Sequence, residues 1–312
     1  MRVTACEFRR QTAFASALLC VALAMSCGNQ EEEILIVDVQ SQPAFRIGLI
    51  PERNIFSQKK RYEPIADYLS KRAGVEVELV VLSRYGNIIE NFVSNDLDGA
   101  FFGSFTGALA YKKLGVEALA RPKYPDGTST YHGLIFVRRD SGIRSGDDMK
   151  GKRFAFVDKA TTAGYLLPLH YFEDEGIDDY RSWFKETYFT GTHEGAIHDV
   201  LRRKADIGAA KNTVFNMLAS HEPEISDELM ILTRSPDVPE NALLIRSDLD
   251  DEIKSRLKEA LLNMTHDAEG REVLKGLGAA RFIETVVADY APVFDFAEEI
   301  GLDLETYDYT ND

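Results

Sequence analysis

Hydrophobic and polar positions along the chain predict an alternation of strands and helices. An apolar run at 45–51 predicts a first strand. Apolar residues recur at helical spacing over 62–73, with Pro64 near the start and Gly74 just past the end. Further strands are predicted at 75–81 and 98–102, and further helices at 87–93 and 104–114. This order favours a mainly parallel sheet covered by helices.

A second series of the same kind begins after residue 132. Strands are predicted at 152–157, 187–190, 206–210, 229–234 and 243–246, and helices at 162–175, 193–203, 212–220 and 247–263, with helical sequence from there to about residue 300. The helix at 247–263 is expected to open on a cap formed by Ser247 and Asp250. Two α/β series predict two lobes around a ligand cleft. We expect lobe 1 to comprise residues 44–137 and 239–312, and lobe 2 residues 138–238.

The N-terminus has the pattern of an export signal. Three arginines precede an apolar run at 13–24, which is short for a membrane span and typical of a signal peptide. We interpret residues 1–26 as that signal. Residues 23–28 resemble a bacterial lipoprotein cleavage site with Cys27 as the lipidated residue, although Ala24 stands where the motif prefers Leu; an ordinary signal peptide cut nearby is the alternative. Residues 27–43 are predicted to be a flexible tether.

Composition excludes several classes of protein. Hydrophobic residues make up 45% and charged residues 28% of the 312, which is typical of a globular protein. The net charge of −15 excludes a general nucleic-acid binder. All three cysteines lie at or before residue 27, so the exported fold has none for a disulfide, thiol catalysis or a cysteine zinc site.

Three predicted strand-to-helix junctions carry hydroxyl or histidine side chains. Ser104 lies at the first, Thr161 and Thr162 at the second, and His193 at the third. Helix N-termini leave free N–H groups and a partial positive charge, so they can hold an oxyanion without a formal cation. Each junction is also typical of an ordinary helix cap. Three of them in one chain favour a ligand cleft.

The run GKRFAFVDKATTAGYLLP at 151–168 resembles the phosphonate/phosphite-binding proteins of ABC importers. Supporting similarities lie at 62–69, 137–143, 192–194 and 205–209, and the resemblance covers about 45–290. It implies a two-lobed periplasmic-binding-protein fold of type II. It also implies a receptor without enzymatic activity, cofactor or metal, which binds a small phosphorus oxyanion and delivers it to ABC permease subunits. We expect a monomer, exported to the periplasm or cell surface and anchored to the membrane through Cys27.

The resemblance also assigns site residues. It places the ligand oxygens on Thr161, Thr162 and the N–H groups that follow, where Ala163 lacks one hydroxyl of the family pattern. The family's pocket histidine and tyrosines correspond to His193, Tyr85 and Tyr131.

Two further positions bear on ligand choice. Aminophosphonate binders of the family hold the ligand's ammonium with two carboxylates, and this chain has Val214 and Asn241 at the matching positions. An unpaired buried ammonium is costly, so we expect poor binding of aminoethylphosphonate and favour phosphite, methylphosphonate or phosphate. If Asp206 lines the cleft, it would accept a hydrogen bond from a monoprotonated ligand; local capping or a hinge role is the alternative.

Two other functions are compatible with the sequence. A lipoprotein that senses another small anion would share all of these features. An enzyme on the same architecture is less favoured, since the chain has no Walker-type loop, no Gly-x-Ser-x-Gly and no His-Glu-x-x-His. Its histidines show no metal-ligand spacing beyond a loose pair at His193 and His198.

Overall fold

The computed structural model describes residues 44–94 and 97–311. The predicted signal peptide, the lipidation site Cys27 and the tether lie outside the described residues.

The described residues form thirteen strands and eleven α-helices, which alternate over much of the sequence. In chain order the strands are β1 (Phe45–Leu49), β2 (Val77–Val81), β3 (Gly99–Phe102), β4 (Val116–Lys123), β5 (Thr130–Tyr131), β6 (Gly133–Arg138), β7 (Arg153–Phe156), β8 (Glu186–Phe189), β9 (Ile207–Lys211), β10 (Leu229–Arg234), β11 (Val238–Pro239), β12 (Ala242–Arg246) and β13 (Arg281–Glu284). The helices are α1 (Ile55–Ala73), α2 (Asn87–Val93), α3 (Ser104–Lys113), α4 (Leu167–Asp174), α5 (Tyr180–Trp183), α6 (His193–Leu201), α7 (Asn212–His221), α8 (Pro223–Glu228), α9 (Asp251–Leu262), α10 (Ala268–Leu277) and α11 (Ala291–Glu299). A single π-helical turn, Thr162–Leu166, leads into α4.

The strands of the described residues form two large sheets and one two-stranded sheet of β5 and β11, which confirms the predicted α/β class. The first has the order β13-β4-β12-β3-β1-β2 and the second the order β10-β6-β9-β7-β8. Pairing is parallel between β1 and its neighbours β2 and β3, and between β7 and its neighbours β8 and β9. The other pairings in both sheets are antiparallel. The sheets are therefore mixed, where mainly parallel sheets were predicted.

Two of the antiparallel pairings, β6 with β9 and β12 with β3, follow from the way the chain crosses between the sheets. It leaves the first sheet after β4 and returns after β10, and the short strands β5 and β11 pair within these two connections. The next strands, β6 and β12, start beside the ends of β9 and β3, since Gly133 pairs with Lys211 and Ala242 with Phe102. They consequently run against those strands. Because β6 belongs to the second sheet, the chain crosses to that sheet before Gly133, whereas lobe 2 was expected to begin at residue 138. The lobe boundaries stay a prediction.

Helix ends follow local chemistry, which corrects two predicted starts. The first helix begins at Ile55, seven residues before the predicted start, because the Asn54 side chain accepts the Phe56 N–H; Pro64 lies inside the helix. The cap of α9 is Asp250, which accepts the N–H groups of Glu252 and Ile253, while the predicted partner Ser247 lies outside the helix.

The turn that carries Thr161 and Thr162 lies directly on strand β7 and its extension. A methyl group at Gly164 would lie 2.3 Å from Val157 Cβ and 2.7 Å from Thr161 Oγ1. The Gly164 carbonyl also accepts the Val157 N–H at 3.2 Å. Only glycine therefore lets the turn pack this closely against the end of the strand.

We predict that Gly164→Ala destabilises the protein by about 1–3 kcal/mol through overpacking. The control is Gly276→Ala in α10, where a methyl group meets no atom within 4 Å and should stabilise the helix by up to about 1 kcal/mol. Urea unfolding of both variants measures the two effects. Equal stability of the two variants would contradict the predicted close packing.

Candidate ligand-binding site

Three helix N-termini meet where strands of both sheets end. The helix α3 begins at Ser104 after β3, the π-helical turn begins at Thr162 after β7, and α6 begins at His193 after β8. Ser104 Oγ lies 2.7 Å from Thr162 Oγ1 and 2.5 Å from the Tyr131 hydroxyl, and all three side chains are buried. We call these three residues the hydroxyl cluster. The structure thus brings three of the predicted site residues together across the two sheets.

Two of these helix N-termini keep their first N–H groups uncapped. Within the described part of the chain, no side chain caps the start of α3 or of the π-helical turn. By contrast, Thr192 caps α6 by accepting the Gly195 N–H at 2.9 Å. Thr161, another predicted site residue, donates its hydroxyl to the Asp158 carbonyl at 2.6 Å and so holds its own turn. The free N–H groups beside Ser104 and Thr162 add donors suited to an oxyanion.

His193 is a neutral donor at the same site. It is buried, and its Nδ1 accepts the Lys211 backbone N–H at 3.3 Å, which leaves its proton on Nε2. Burial lowers the pKa of His193 from 6.5 to about 3; it outweighs the Glu52 carboxylate, which raises this pKa, and the positive charge of Lys211 acts in the same direction as burial. The imidazole is therefore uncharged at neutral pH and presents an Nε2–H group.

Tyr85, the remaining tyrosine of the prediction, packs against that imidazole. The ring centroids of Tyr85 and His193 lie 5.9 Å apart in an edge-on arrangement. The Tyr85 hydroxyl is buried and has no hydrogen-bond partner among residues 44–94 and 97–311. Burial raises the pKa of Tyr85 well above its ordinary value, so the hydroxyl keeps its proton and can donate it to a ligand oxygen.

Next to the hydroxyl cluster lies a buried ammonium group that sequence reasoning missed. Lys211 Nζ lies 2.9 Å from a Glu52 carboxylate oxygen, 3.1 Å from Asn241 Oδ1 and in hydrogen-bond contact with Glu240. It also lies 4.3 Å from the ring centroid of Tyr131. We call Glu52, Glu240, Asn241 and the Tyr131 ring the ammonium cage.

Lys211 and Glu52 keep their charges in spite of burial. Burial disfavours the charged lysine, but the Glu240 and Glu52 carboxylates outweigh it and raise the pKa of Lys211 well above its ordinary value. Burial likewise opposes the Glu52 carboxylate, and Lys211 lowers the pKa of Glu52 to about 2. A signal was present in the sequence, because Glu52 and Lys211 each follow an apolar run that predicts a strand ending at the cleft.

Asp206 is not part of this site. It lies just before β9, at the opposite end of that strand from Lys211, and it forms an ion pair with Arg153 at 2.9 Å. Its backbone N–H also bonds the Arg153 carbonyl. The structure therefore assigns Asp206 to the local pairing of β7 and β9, and the hypothesis that it accepts a ligand proton is wrong.

A cavity of about 1120 Å³ adjoins the ammonium cage. Lys211, Glu240, Asn241 and Val214 all line it. Val214 and Asn241 thus line the same cavity as Lys211. They supply no carboxylate, but Glu240 beside Asn241 and Glu52 from the first sheet do.

Two kinds of feature are absent from the described ranges 44–94 and 97–311. No group of three or more histidine, cysteine, aspartate or glutamate side chains there could hold a metal ion. No helix in those ranges is both long and apolar enough to cross a membrane.

Known proteins are similar to this chain in both sequence and fold. A family model described as the periplasmic substrate-binding protein of ABC phosphonate transporters matches residues 47–290. The phosphonates-binding periplasmic protein of Escherichia coli is 26% identical over 263 residues, which cover 83% of this chain and 77% of that protein. A binding protein component of an ABC phosphonate transporter from Pseudomonas aeruginosa superposes with a TM-score of 0.77 at 25% identity, over 83% of this chain and 87% of that one.

A third relative has both a name and a structure. PhnD1 of Prochlorococcus marinus, a probable ABC transporter phosphite binding protein, is 24% identical over 287 residues, which cover 86% of this chain and 95% of that protein. Its structure in complex with methylphosphonate superposes with a TM-score of 0.73 at 22% identity, over 82% of this chain and 98% of that one. The family match spans well over half of the chain, and this protein therefore belongs to the periplasmic substrate-binding proteins of ABC phosphonate transporters.

Proposed function

We propose that this protein binds a small phosphorus oxyanion without an amine, such as phosphite, methylphosphonate or phosphate, at the hydroxyl cluster. The observation that carries the proposal is the direct contact of Ser104 and Thr162 across the two sheets, beside two uncapped helix N-termini. An oxyanion that replaces the hydrogen bond between Ser104 and Thr162 would accept hydrogen bonds from both side chains at once. Ligand capture would thereby join the two lobes.

The donors are all neutral, and this suits an anion that must also be released. The His193 Nε2–H, the Tyr85 hydroxyl and backbone N–H groups offer hydrogen bonds without a formal charge. Two bonds within the hydroxyl cluster use two of its three O–H groups, so the cluster itself keeps one O–H for the ligand. Hydrogen bonds to a charged group contribute about 1.5–3 kcal/mol each, so a few of them suffice for tight binding. The methylphosphonate bound by the P. marinus relative and its name as a phosphite binder support the same ligand class.

The family places the protein outside the cytoplasm as part of an ABC importer, whose permease subunits are its partners. We further propose that Cys27 carries a lipid that anchors it to the membrane and that the protein acts as a monomer. Residues 27–43 would then separate the binding domain from the membrane surface.

The ligand class predicts a specific binding pattern. Phosphite or methylphosphonate at about 100 times Kd should stabilise the purified protein by about 2.7 kcal/mol, which a thermal shift detects. Thr162→Val removes one donor without changing the side-chain shape, and we expect affinity to fall about 10-fold or more. Thr187→Val at the start of β8 is the matched control and should bind like the wild type. A lack of any shift with phosphite, methylphosphonate or phosphate would contradict the proposed ligand class.

Neutral His193 makes stability depend on pH in a defined window. The folded state keeps the imidazole unprotonated down to a pKa of about 3, whereas the unfolded state takes up a proton below its ordinary 6.5. The contribution of His193 to stability is therefore complete above pH 6.5 and decreases as the pH falls towards 3, by about 1.4 kcal/mol per pH unit. We predict that His193→Gln loses less stability than the wild type between about pH 7 and pH 5 in urea unfolding. An identical pH dependence of the two proteins would mean that His193 is not buried and neutral.

The lipid anchor predicts a change of cell fraction. Cys27→Ala should move the protein from the membrane to the soluble fraction, because a lipid is needed for stable attachment. Cys20→Ala changes a cysteine within the predicted signal and leaves Cys27 in place, so it should not alter the fraction. If Cys27→Ala stays with the membrane as the wild type does, the anchor is elsewhere.

A further inference from the structure

The Lys211 side chain has no donor left for a ligand. An ammonium group carries three N–H donors, and here Glu52, Glu240 and Asn241 take one each. The Tyr131 ring covers a further side of the same group. Lys211 is therefore saturated by the protein itself and does not serve as the cation for the oxyanion.

The cage lies one aromatic ring away from the hydroxyl cluster. The ring of Tyr131 contacts Lys211 Nζ, and the hydroxyl of the same residue bonds Ser104. An oxyanion at the hydroxyl cluster would thus lie at the hydroxyl end of Tyr131, and an ammonium in the cage would lie over the face of its ring. A short chain of carbon atoms between the two groups would run along that ring.

We infer that Lys211 is a built-in ammonium that occupies a subsite for the amine of an aminoalkyl phosphonate, so that this residue determines the selection of ligands without an amine. The inference rests on the proposed function, because it places the phosphonate oxygens at the hydroxyl cluster. It names Lys211 as a specificity-determining residue for that site.

The cage without Lys211 would retain every group that recognises an ammonium. Two buried carboxylates, an amide oxygen and an aromatic face would stay in place. Unpaired buried carboxylates are strongly unfavourable, so a cationic ligand that pairs with them gains what the lysine supplied. Space is available as well, because Lys211 lines the cavity of about 1120 Å³ and a shortened side chain would open the cage towards it.

The origin of the cage residues makes the subsite part of the cleft. Glu52 follows β1 of the first sheet, Lys211 ends β9 of the second, and Glu240 and Asn241 lie in the connection that returns to the first. An ammonium in this position would contact groups from both sides of the cleft, as the oxyanion would at the hydroxyl cluster. A ligand with both groups would therefore replace the lysine in holding the two sides together.

Two ligands that differ only in the amine test this inference. We predict that the wild type binds ethylphosphonate at least about 10-fold more tightly than 2-aminoethylphosphonate, and that Lys211→Ala reverses the preference by at least the same factor. Adding Glu240→Gln to Lys211→Ala removes one cage carboxylate and should abolish the gain for the amine. Lys60→Ala removes a lysine that lines the same cavity outside the cage, and it should keep the wild-type preference. Isothermal titration measures all four proteins.

The outcomes separate the inference from the proposed function. If the wild type binds ethylphosphonate or methylphosphonate but Lys211→Ala shows no shift towards the amine, the inference alone is overturned. Tighter binding of 2-aminoethylphosphonate by the wild type also overturns it. If the wild type binds no phosphonate, phosphite or phosphate, the proposed function fails and the inference with it. If Lys211→Ala does not fold, Lys211→Gln is titrated with the same two ligands, because its side chain is also shorter and uncharged. The same reversal of preference is expected.

Discussion

The buried Lys211 ammonium is the constraint on which the rest of the site depends. Its charge is stable only while the Glu52 and Glu240 carboxylates surround it, and removing one partner from such a pair costs about 3–5 kcal/mol. The same residue orients His193 through its backbone N–H and supports the Tyr131 ring through its side chain. One residue at the end of β9 thus determines where two ligand donors lie.

This arrangement explains how a protein with an acidic sequence can bind an anion. At physiological salt, the potential of surface charges is screened within about 8 Å. The net charge of −15 therefore has little influence inside the cleft. Within the cleft, the cage holds two carboxylates against one ammonium, and the groups that face the hydroxyl cluster are neutral donors. Binding therefore depends on the geometry of hydrogen bonds, which weaken steeply when they are misaligned.

Local features of this site could be predicted from the sequence, whereas long-range pairings could not. Ser104, Thr162 and His193 each follow a strand and open a helix, and both properties depend on neighbouring residues alone. Asp206 was misplaced because it starts its strand, and only the strand end reaches the cleft. The cage escaped prediction because the ion pair between Glu52 and Lys211 joins positions 159 residues apart.

The same distinction holds for the fold. The bounds of α2 and β10 were predicted correctly because their apolar residues recur at the spacing of a helix or a strand. Strand β4 was missed, since charged and small residues interrupt its apolar positions, and β13 was absorbed into a predicted helix. Both lie beside antiparallel partners, and pairing with a distant strand outweighs the weak local pattern in each case.

C-terminal residues connect the two elements that carry Ser104 and Thr162 of the hydroxyl cluster. Tyr307 packs edge-on against Phe105 of α3 at 5.4 Å and donates its hydroxyl to the Lys159 carbonyl at 2.9 Å. Asn311 accepts the Lys159 N–H and donates to the Asp158 carboxylate, at 2.9 and 2.8 Å. The segment therefore ties the start of α3 to the turn that precedes Thr162. These two elements also supply the ligand donors, so the C-terminal segment constrains the spacing between the donors. This constraint favours a small oxyanion.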